Sequence, residues 1–273
     1  MIKQSIRHAQ ELAETSSKIL REDGFGELWK CILNYSKTFD TNKYFATTIN
    51  HKEAMRWFGH RRYLYDKLIS TVYPYISSDA IVFDIGANIG YFTMLLAERL
   101  EFKRGAYLFE PVPNLAELCR ITFHNASFAV TVCDFGLSDK DMEENIFLNT
   151  DGNIGANSLV KKSISEDRMS SIRLKPFDTC WIDVKPSLII IDVEGAEYMV
   201  LRGMFVSLRK WRPLPVVLCE VGWGPSHPAW EEEMGVFRSM KQIGYNICNL
   251  AGVPIDERNL QKTTDVLFIP SEV

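Results

Sequence analysis

The 273-residue sequence has no apolar run that approaches the roughly 20 residues required by a membrane-spanning helix. Its first residues, 1–5, lack the apolar core of a signal peptide. The six cysteines are scattered, without a C-x-x-C pair, so neither a disulfide framework nor a zinc site is indicated. These absences favour a cytoplasmic protein with reduced thiols. The amphipathic start of the chain leaves peripheral contact with a membrane surface open, although its mixed charges make that the weaker interpretation.

The sequence also has little excess charge. Its formal net charge is −4 and it has no dense stripe of Lys and Arg, which argues against a nucleic acid as substrate or partner. The patterns G-x-S-x-G, H-E-x-x-H and the P-loop are absent, so the sequence lacks the usual signatures of a serine hydrolase, a zinc protease and a P-loop nucleotide hydrolase. No metal site is assigned from such a pattern.

What the sequence does contain is a strand, a tight turn and a helix in direct succession. Residues 81–85 are apolar except for Asp84, and a helical pattern follows two glycines that lie four residues apart. Gly86 permits a turn where a side chain would clash, and Gly90 lets the helix start close to the strand or to a ligand. This arrangement is typical of a loop that binds a nucleoside cofactor.

The loop also helps to choose between two cofactor classes. A dinucleotide-binding loop has a second glycine that lets the backbone approach a pyrophosphate, and Asn88 occupies that position here. The second strand, 106–110, ends in Glu110, where a ribose hydroxyl would need an acceptor. Acidic side chains repel a pyrophosphate, but they suit S-adenosylmethionine (SAM), which carries a sulfonium cation and an ammonium group. The sequence therefore favours SAM over NAD.

Strands and helices alternate after this loop, which is the pattern of a doubly wound α/β domain with a mostly parallel sheet. The last two strands are expected to form an antiparallel pair. The further predicted strands are 128–134, 188–192, 215–220, 245–250 and 266–269.

The domain organisation follows from the same pattern. We expect residues 1–75 to be a helical segment that covers the mouth of the cofactor or substrate site. Residues 76–273 then form the SAM-binding domain. Within it, residues 141–175 interrupt the alternation with two extended edge segments and a polar stretch, and an insertion of this length usually serves a ligand.

Acidic residues end the predicted parallel strands. Because those ends meet at one crevice of an open α/β sheet, five carboxylates are expected to converge there. They would raise one another's pKa unless a cation balanced them. Helix capping explains some of the acids but not all of them. The five residues are Asp84, Glu110, Asp134, Asp192 and Glu220.

Methyl transfer from SAM needs mainly positioning, plus a base if the acceptor is a hydroxyl. Asp192 and Glu194 are the best candidates for that base, and His227 lies in a loop on the same side. An isolated histidine is more often incidental. Asp192, Glu194 and Glu220 could also ligate Mg²⁺ through oxygen, which leaves metal dependence to a chelator experiment.

Four blocks of the sequence, taken together, resemble the FkbM-type family of SAM-dependent methyltransferases. They run in order from about residue 80 to 221 and comprise residues 82–93, 109–114, 136–139 and 191–203. The resemblance implies a Rossmann-like class I methyltransferase fold and O-methylation of a sugar, glycan, glycolipid precursor or natural product. The family commonly has a lysine two residues before the acid of the fourth block, where this sequence has Ile190, so no role of that lysine is carried over.

The resemblance also implies which residues bind the cofactor. The methionine end of SAM would be lined by Asp84, Gly86, Asn88 and Gly90, with Ala87 and Tyr91 from the same block. Glu110 would hold the ribose, next to Pro111. The adenine would be bordered by Asp134, Gly136 and Leu137. Two alternatives stay open at this point, an NAD-dependent dehydrogenase or epimerase, and a non-catalytic scaffold of the same fold.

Overall fold

The computed structural model describes residues 58–59, 62–100, 102–147, 169–221, 224–260 and 264–271. Six α-helices lie within this part of the chain: α1 (Arg62–Val72), α2 (Tyr91–Arg99), α3 (Pro113–Thr122), α4 (Glu197–Arg202), α5 (Phe205–Lys210) and α6 (Trp230–Ile243). The strands are β1 (Ile81–Ile85), β2 (Gly105–Phe109), β3 (Val130–Cys133), β4 (Gly136–Leu137), β5 (Met142–Phe147), β6 (Met169–Lys175), β7 (Leu188–Ile191), β8 (Val216–Val221), β9 (Tyr245–Cys248) and β10 (Thr264–Pro270).

Seven of these strands form the main sheet, in the order β3-β2-β1-β7-β8-β10-β9. The first five are parallel to one another, and β10 runs antiparallel to both β8 and β9. The predicted doubly wound, mostly parallel sheet with an antiparallel strand near its end is therefore confirmed. Strand order reverses between β1 and β7, and ligands of open α/β sheets bind at such a switch point.

Both faces of the main sheet are buried, which explains the continuous apolar strands. Successive side chains of β1 point to opposite faces, and all five residues of the strand are buried. Val82 packs into the core beneath α2, while Ile81 and Phe83 join a second core under α4 and α6. Helices thus cover the sheet on two sides, as the alternating pattern predicts.

A second, three-stranded sheet has the order β4-β6-β5. Strand β6 pairs in parallel with β4 and antiparallel with β5. The two extended segments predicted between residues 141 and 175 are present as β5 and β6. The polar stretch between them lies outside the described residues. The side chains of Ile146, Ile172 and Leu174 are buried and face the carboxyl end of the main sheet.

Two short helices, α4 and α5, follow β7. The break falls at Gly203, where an added Cβ would lie 1.9 Å from the Ser138 carbonyl oxygen. The first turn of helix α5 is capped by Asp178, whose carboxylate accepts the N–H groups of Val206 and Ser207, each at 2.8 Å. A carboxylate at this position satisfies amides that have no partner within the helix.

Most of the predicted helical segment 1–75 lies outside the described residues. Its described part contains α1 and a 3₁₀ turn at Tyr73–Tyr75. Helix α1 is tied to α2 by an ion pair between Arg62 and Glu98, with 2.6 Å between Nη2 and Oε2. Within the described parts of the chain, no helix has both the length and the hydropathy that crossing a membrane requires.

Candidate functional site

A cavity of about 600 Å³ opens at the carboxyl ends of β1, β2 and β7, at the switch point of the main sheet. This volume includes the opening of the cavity to solvent. Its lining comes from the turn after β1, the segment after β2, the three-stranded sheet and the turn after β7. The residues are Ile85, Gly86, Asn88, Phe109, Glu110, Pro111, Val112, Leu115, Gly136, Leu137, Ile146, Ile172, Leu174, Asp192, Val193, Glu194 and Ala196.

The turn after β1 is held between the ends of two neighbouring strands. The backbone N–H groups of Gly86 and Ala87 both donate to the Phe109 carbonyl, at 3.0 and 3.2 Å. Gly86 has φ +82°, and a Cβ on it would lie 1.9 Å from the Asp192 carbonyl oxygen. Only glycine fits this approach, as the sequence predicts. Asn88, which has φ +54°, follows in the left-handed region that asparagine tolerates better than most residues.

Asp84 is buried beneath this turn and does not line the cavity. Its Oδ2 accepts a hydrogen bond from the Thr93 hydroxyl at 2.6 Å, which joins β1 to the first turn of α2. Burial raises the pKa of Asp84 to about 6, and the bonds from Thr93 oppose that rise. The carboxylate therefore fixes the start of α2 rather than facing a ligand directly.

Glu110 does line the cavity, although only 4% of its surface is exposed. Its two oxygens accept the N–H of Asn88 at 2.8 Å and the N–H of Val112 at 2.9 Å. Burial raises the pKa of Glu110 to about 7, against the effect of those two bonds. Each carboxylate oxygen has a second lone pair, so the group can still accept a hydroxyl from a ligand.

The opposite wall of the cavity carries the carboxylates of Asp192 and Glu194, and Glu220 lies beside them without lining the cavity. Asp192, Glu194 and Glu220 each place a carboxylate oxygen within 4.8 Å of the other two. Desolvation by the surrounding protein raises the pKa of Asp192 well above its usual range, and the charges of Glu220 and Glu194 raise it further. The side chain of Asp192 is nevertheless open to the cavity. Three carboxylates this close favour a bound proton or a cation, and such hard oxygen donors suit Mg²⁺ or Ca²⁺.

His227 lies near this wall but does not line the cavity. Only 5% of its surface is exposed, and its Nδ1 accepts the Ala229 N–H at 3.1 Å. Its ring also packs edge-on against Tyr198, with 6.0 Å between centroids. Desolvation lowers the pKa of His227, so the ring is neutral at pH 7. These contacts give it a structural role at the start of α6.

Four other predicted site residues also lie away from the cavity lining. Ala87 is buried in the turn, and a Cβ on Gly90 would meet the Phe123 ring at 2.4 Å. Tyr91 stacks on Phe58, with 5.0 Å between centroids. Asp134 is exposed and pairs with Arg120 at 3.0 Å. The structure thus gathers Gly86, Asn88, Glu110, Pro111, Gly136, Leu137, Asp192 and Glu194 around one cavity.

The sequence analysis missed the apolar half of the cavity. Its wall is formed by side chains of the small sheet and of α3, among them Ile146, Ile172, Leu174 and Leu115. In β6, alternate residues Ile172 and Leu174 are buried, and this period of two was visible in the sequence. That pattern could have placed these side chains on a ligand wall. The apolar half suits a flat ring, and the acidic half suits a cationic group.

The family model for the methyltransferase FkbM domain matches residues 84–247. This region contains both halves of the cavity and 164 of the 273 residues. No curated protein matches the chain.

Several solved structures are similar to the chain. One is a methyltransferase FkbM from Methylobacillus flagellatus, at 17% identity and a TM-score of 0.47, covering 93% of this chain and 60% of that one. The chain therefore spans less than two thirds of that protein. Another is the magnesium protoporphyrin IX methyltransferase of Synechocystis with bound SAM, at 11% identity and a TM-score of 0.45. The match covers 93% of this chain and 94% of that one. A third is a TehB-like SAM-dependent methyltransferase of Corynebacterium glutamicum, at 11% identity and a TM-score of 0.43. The match covers 80% of this chain and 96% of that one.

Proposed function

Because the chain belongs to the family of FkbM-domain methyltransferases, whose cofactor is SAM, we propose that it methylates a hydroxyl of a sugar, glycan, glycolipid precursor or natural product. The observation that carries this proposal is the division of one cavity into an apolar half and an acidic half. SAM has a matching division, with an adenine at one end and two cationic groups at the other.

The lining residues are assigned to SAM by their chemistry. The Glu110 carboxylate, at the end of β2, accepts the ribose hydroxyls through its remaining lone pairs. Leu137, Ile172 and Leu174 contact the adenine ring, with Gly136 leaving room beside them. The carboxylates of Asp192 and Glu194 attract the sulfonium and ammonium groups. The roles of Glu110, Gly136 and Leu137 are those that the family resemblance implies, whereas the predicted cofactor residues Asp84, Ala87, Gly90, Tyr91 and Asp134 do not line the cavity.

Bound SAM supplies an activated methyl group for in-line attack. The protein has to orient the acceptor hydroxyl and remove its proton. Asp192 is the better base, because it lines the cavity and its raised pKa means that its carboxylate takes up a proton more readily than an ordinary one. Glu194 shares the cavity wall with it. His227 is not assigned to this step, because the structure keeps it off the cavity lining.

Calorimetry with SAM and with S-adenosylhomocysteine tests the proposal. We expect affinities in the micromolar range for the unmodified protein and a loss of at least about tenfold in Glu110→Ala, because a buried hydrogen-bond acceptor is removed. Glu117→Ala is the matched control, since this glutamate on α3 is exposed and pairs with Arg120 at the surface. Binding of NAD in place of SAM, or no binding of either SAM compound, would overturn the proposal.

The acceptor requires a separate experiment. Mass spectrometry of surface glycans from cells with and without the gene should show a mass difference of one methyl group on a sugar. Methyl transfer by the purified protein can then be measured with and without a chelator. Activity that survives the chelator shows that the acidic wall works with a proton or with SAM itself, and activity that is lost shows that it works with a metal ion.

A further inference from the structure

A buried glutamate that the sequence analysis did not consider lies directly behind the acidic wall. The wall is carried by the turn at residues 192–196, between β7 and α4. Within this turn Glu194 has φ +56° and Gly195 has φ +102°. A residue with a side chain rarely adopts a positive φ, so the surrounding structure has to hold Glu194 in place.

Glu197, the first residue of α4, provides that hold. Its side chain is completely buried, and its Oε1 accepts the N–H of Gly195 at 2.9 Å and the N–H of Val193 at 3.3 Å. The two donors stand on either side of Glu194 in the chain. One oxygen atom therefore ties both ends of the strained residue to the start of the helix.

Glu233, on the first turn of α6, is 1% exposed and lies close enough to Glu197 to feel its charge. Within the described part of the chain, neither Oε2 of Glu197 nor Oε1 of Glu233 has a hydrogen-bond partner. Two such buried carboxyl groups cannot both carry a charge at neutral pH. Burial raises the pKa of Glu197 to about 7 and that of Glu233 to about 8, and the charge of Glu197 adds to the second rise.

The other titratable groups around this pair do not neutralise it. Glu194 on the turn adds negative charge. The Cys219 thiol on β8 is buried, and burial together with the nearby carboxylates raises its pKa, so it stays protonated. His227, before α6, is kept neutral by its lowered pKa. A proton on one of the two carboxyl groups therefore provides the compensation.

We propose that Glu197 is a positioning residue, which, backed by Glu233, holds the Val193–Gly195 turn so that Asp192 and Glu194 face the cavity. Its role in methyl transfer rests on the proposed function, whereas its hold on the turn does not. Glu197 itself does not line the cavity.

Three variants test this hold. Glu197→Gln keeps an oxygen that can accept both N–H groups, and its amide can donate to Glu233. Glu197→Leu keeps the volume but removes the acceptor. Glu231→Leu, at an exposed position of α6, is the matched control. Amide hydrogen exchange, resolved by NMR, is measured for Val193 and Gly195 and compared with amides of β7.

In Glu197→Leu we expect exchange at Val193 and Gly195 to be about tenfold faster, with β7 unchanged, because two buried hydrogen bonds are lost. Glu197→Gln and Glu231→Leu should match the unmodified protein. SAM affinity should fall in Glu197→Leu and recover in Glu197→Gln. If Glu197→Leu does not fold, Glu197→Asp replaces it, because the shorter carboxylate keeps the charge but cannot reach both amides.

The inference is overturned if the two amides exchange at the normal rate without the acceptor, or if exchange rises equally throughout β7. It is also overturned if Glu197→Gln behaves as Glu197→Leu does, because then the charge rather than the hydrogen bonds matters. If the unmodified protein binds no SAM, the proposed function fails, and the exchange experiment still decides whether Glu197 holds the turn.

Discussion

The two acidic sides of the cavity are built in opposite ways. On the β1–β2 side, Asp84 and Glu110 are buried, and backbone or hydroxyl donors occupy their oxygens at 2.6–2.9 Å. On the β7–β8 side, Asp192, Glu194 and Glu220 crowd within 4.8 Å of one another, and Asp192 is open to the cavity. On the first side both carboxylates fix the backbone and Glu110 also lines the cavity, whereas on the second side Asp192 and Glu194 line the cavity and repel each other.

This difference explains how acids at equivalent strand ends come to have different roles. A carboxylate that is hydrogen-bonded by the protein stabilises the fold, and its loss should lower stability. Carboxylates that repel one another destabilise the fold, and such an arrangement is typical of functional sites. Mutations on the two sides should therefore change stability in opposite directions.

Gly86→Ala should have the largest effect, because Gly86 lies where the two sides meet. The new Cβ would lie 1.9 Å from the Asp192 carbonyl oxygen, at a φ of +82°. We expect a loss of roughly 3–5 kcal/mol in the free energy of unfolding, together with loss of SAM binding. Thermal denaturation and calorimetry measure both quantities.

The matched control for this change is Gly235→Ala in helix α6, where the nearest atom to an added Cβ is 3.9 Å away. Alanine at a helical position without a clash should raise stability by about 0.5–1 kcal/mol. Equal destabilisation by the two substitutions would contradict the account of Gly86.

On the β1–β2 side, the titration of Glu110 should make the stability of the protein depend on pH. The pKa of Glu110 is about 7 in the folded protein, against an ordinary value of 4.5. Between these values the folded state keeps a proton that the unfolded state has lost, so stability falls as pH rises. The fall attributable to Glu110 should be roughly 3 kcal/mol.

Glu110→Gln removes the ionisable group, so residue 110 no longer contributes to the pH dependence of stability. Chemical denaturation of the SAM-free protein at several pH values should therefore give a flatter curve between about pH 4.5 and 7 for the variant. Asp84, whose pKa is about 6, still contributes a slope in both proteins. Identical slopes for the variant and the unmodified protein would refute the assigned pKa of Glu110.

Thr93→Val removes the donor to Asp84 without changing the volume of the side chain. The buried carboxylate would then lack its 2.6 Å hydrogen bond, and we expect a loss of about 1–2 kcal/mol in the free energy of unfolding. Thr71→Val is the control, since the Thr71 hydroxyl bonds only the Lys67 carbonyl in an exposed part of α1. Urea denaturation should show little change for the control.

Glu220→Gln should act in the opposite direction on the β7–β8 side. Removing one of three neighbouring charges relieves repulsion, so stability should stay constant or rise by up to about 1 kcal/mol, while SAM affinity falls. The pKa of Asp192 should also decrease, because the charge of Glu220 contributes to its rise. NMR titration of the Asp192 carboxyl carbon measures this change. A clear loss of stability would contradict the contrast between the two sides.

Asp134→Asn should have the smallest effect. Its carboxylate is exposed and forms a surface ion pair with Arg120 at 3.0 Å. Such pairs contribute little, so the change in stability should stay below about 0.5 kcal/mol, with SAM affinity unaltered. A large loss of affinity in calorimetry would instead support the adenine-binding role that the family resemblance implies for Asp134.

Much of the fold could be predicted from the sequence. The apolar runs at β1 and β7 each end near an acid, and their lengths and order give the parallel sheet. Gly86 could be recognised because a close approach of two backbones admits no other residue. Glu110, Asp192 and Glu194 could be placed at the cavity because they follow the ends of neighbouring strands.

The direction of individual side chains could not be predicted. Asp134 follows β3 as Glu110 follows β2, but β3 is an edge strand, so Asp134 turns outward to Arg120. Asp84 turns inward because Thr93 lies one helical turn beyond the glycine loop. The pairing of Glu197 with Glu233 depends on the packing of α4 against α6, which are separated by many residues in the sequence. Such choices depend on tertiary neighbours that no local pattern reveals.

The most direct test of the central claim is a crystal structure with bound S-adenosylhomocysteine. The account predicts its ribose hydroxyls at the Glu110 carboxylate, its adenine against Ile172 and Leu174, and its sulfur on the side of Asp192 and Glu194. An empty cavity at saturating ligand, or the reverse orientation with the adenine against the acidic wall, would contradict it.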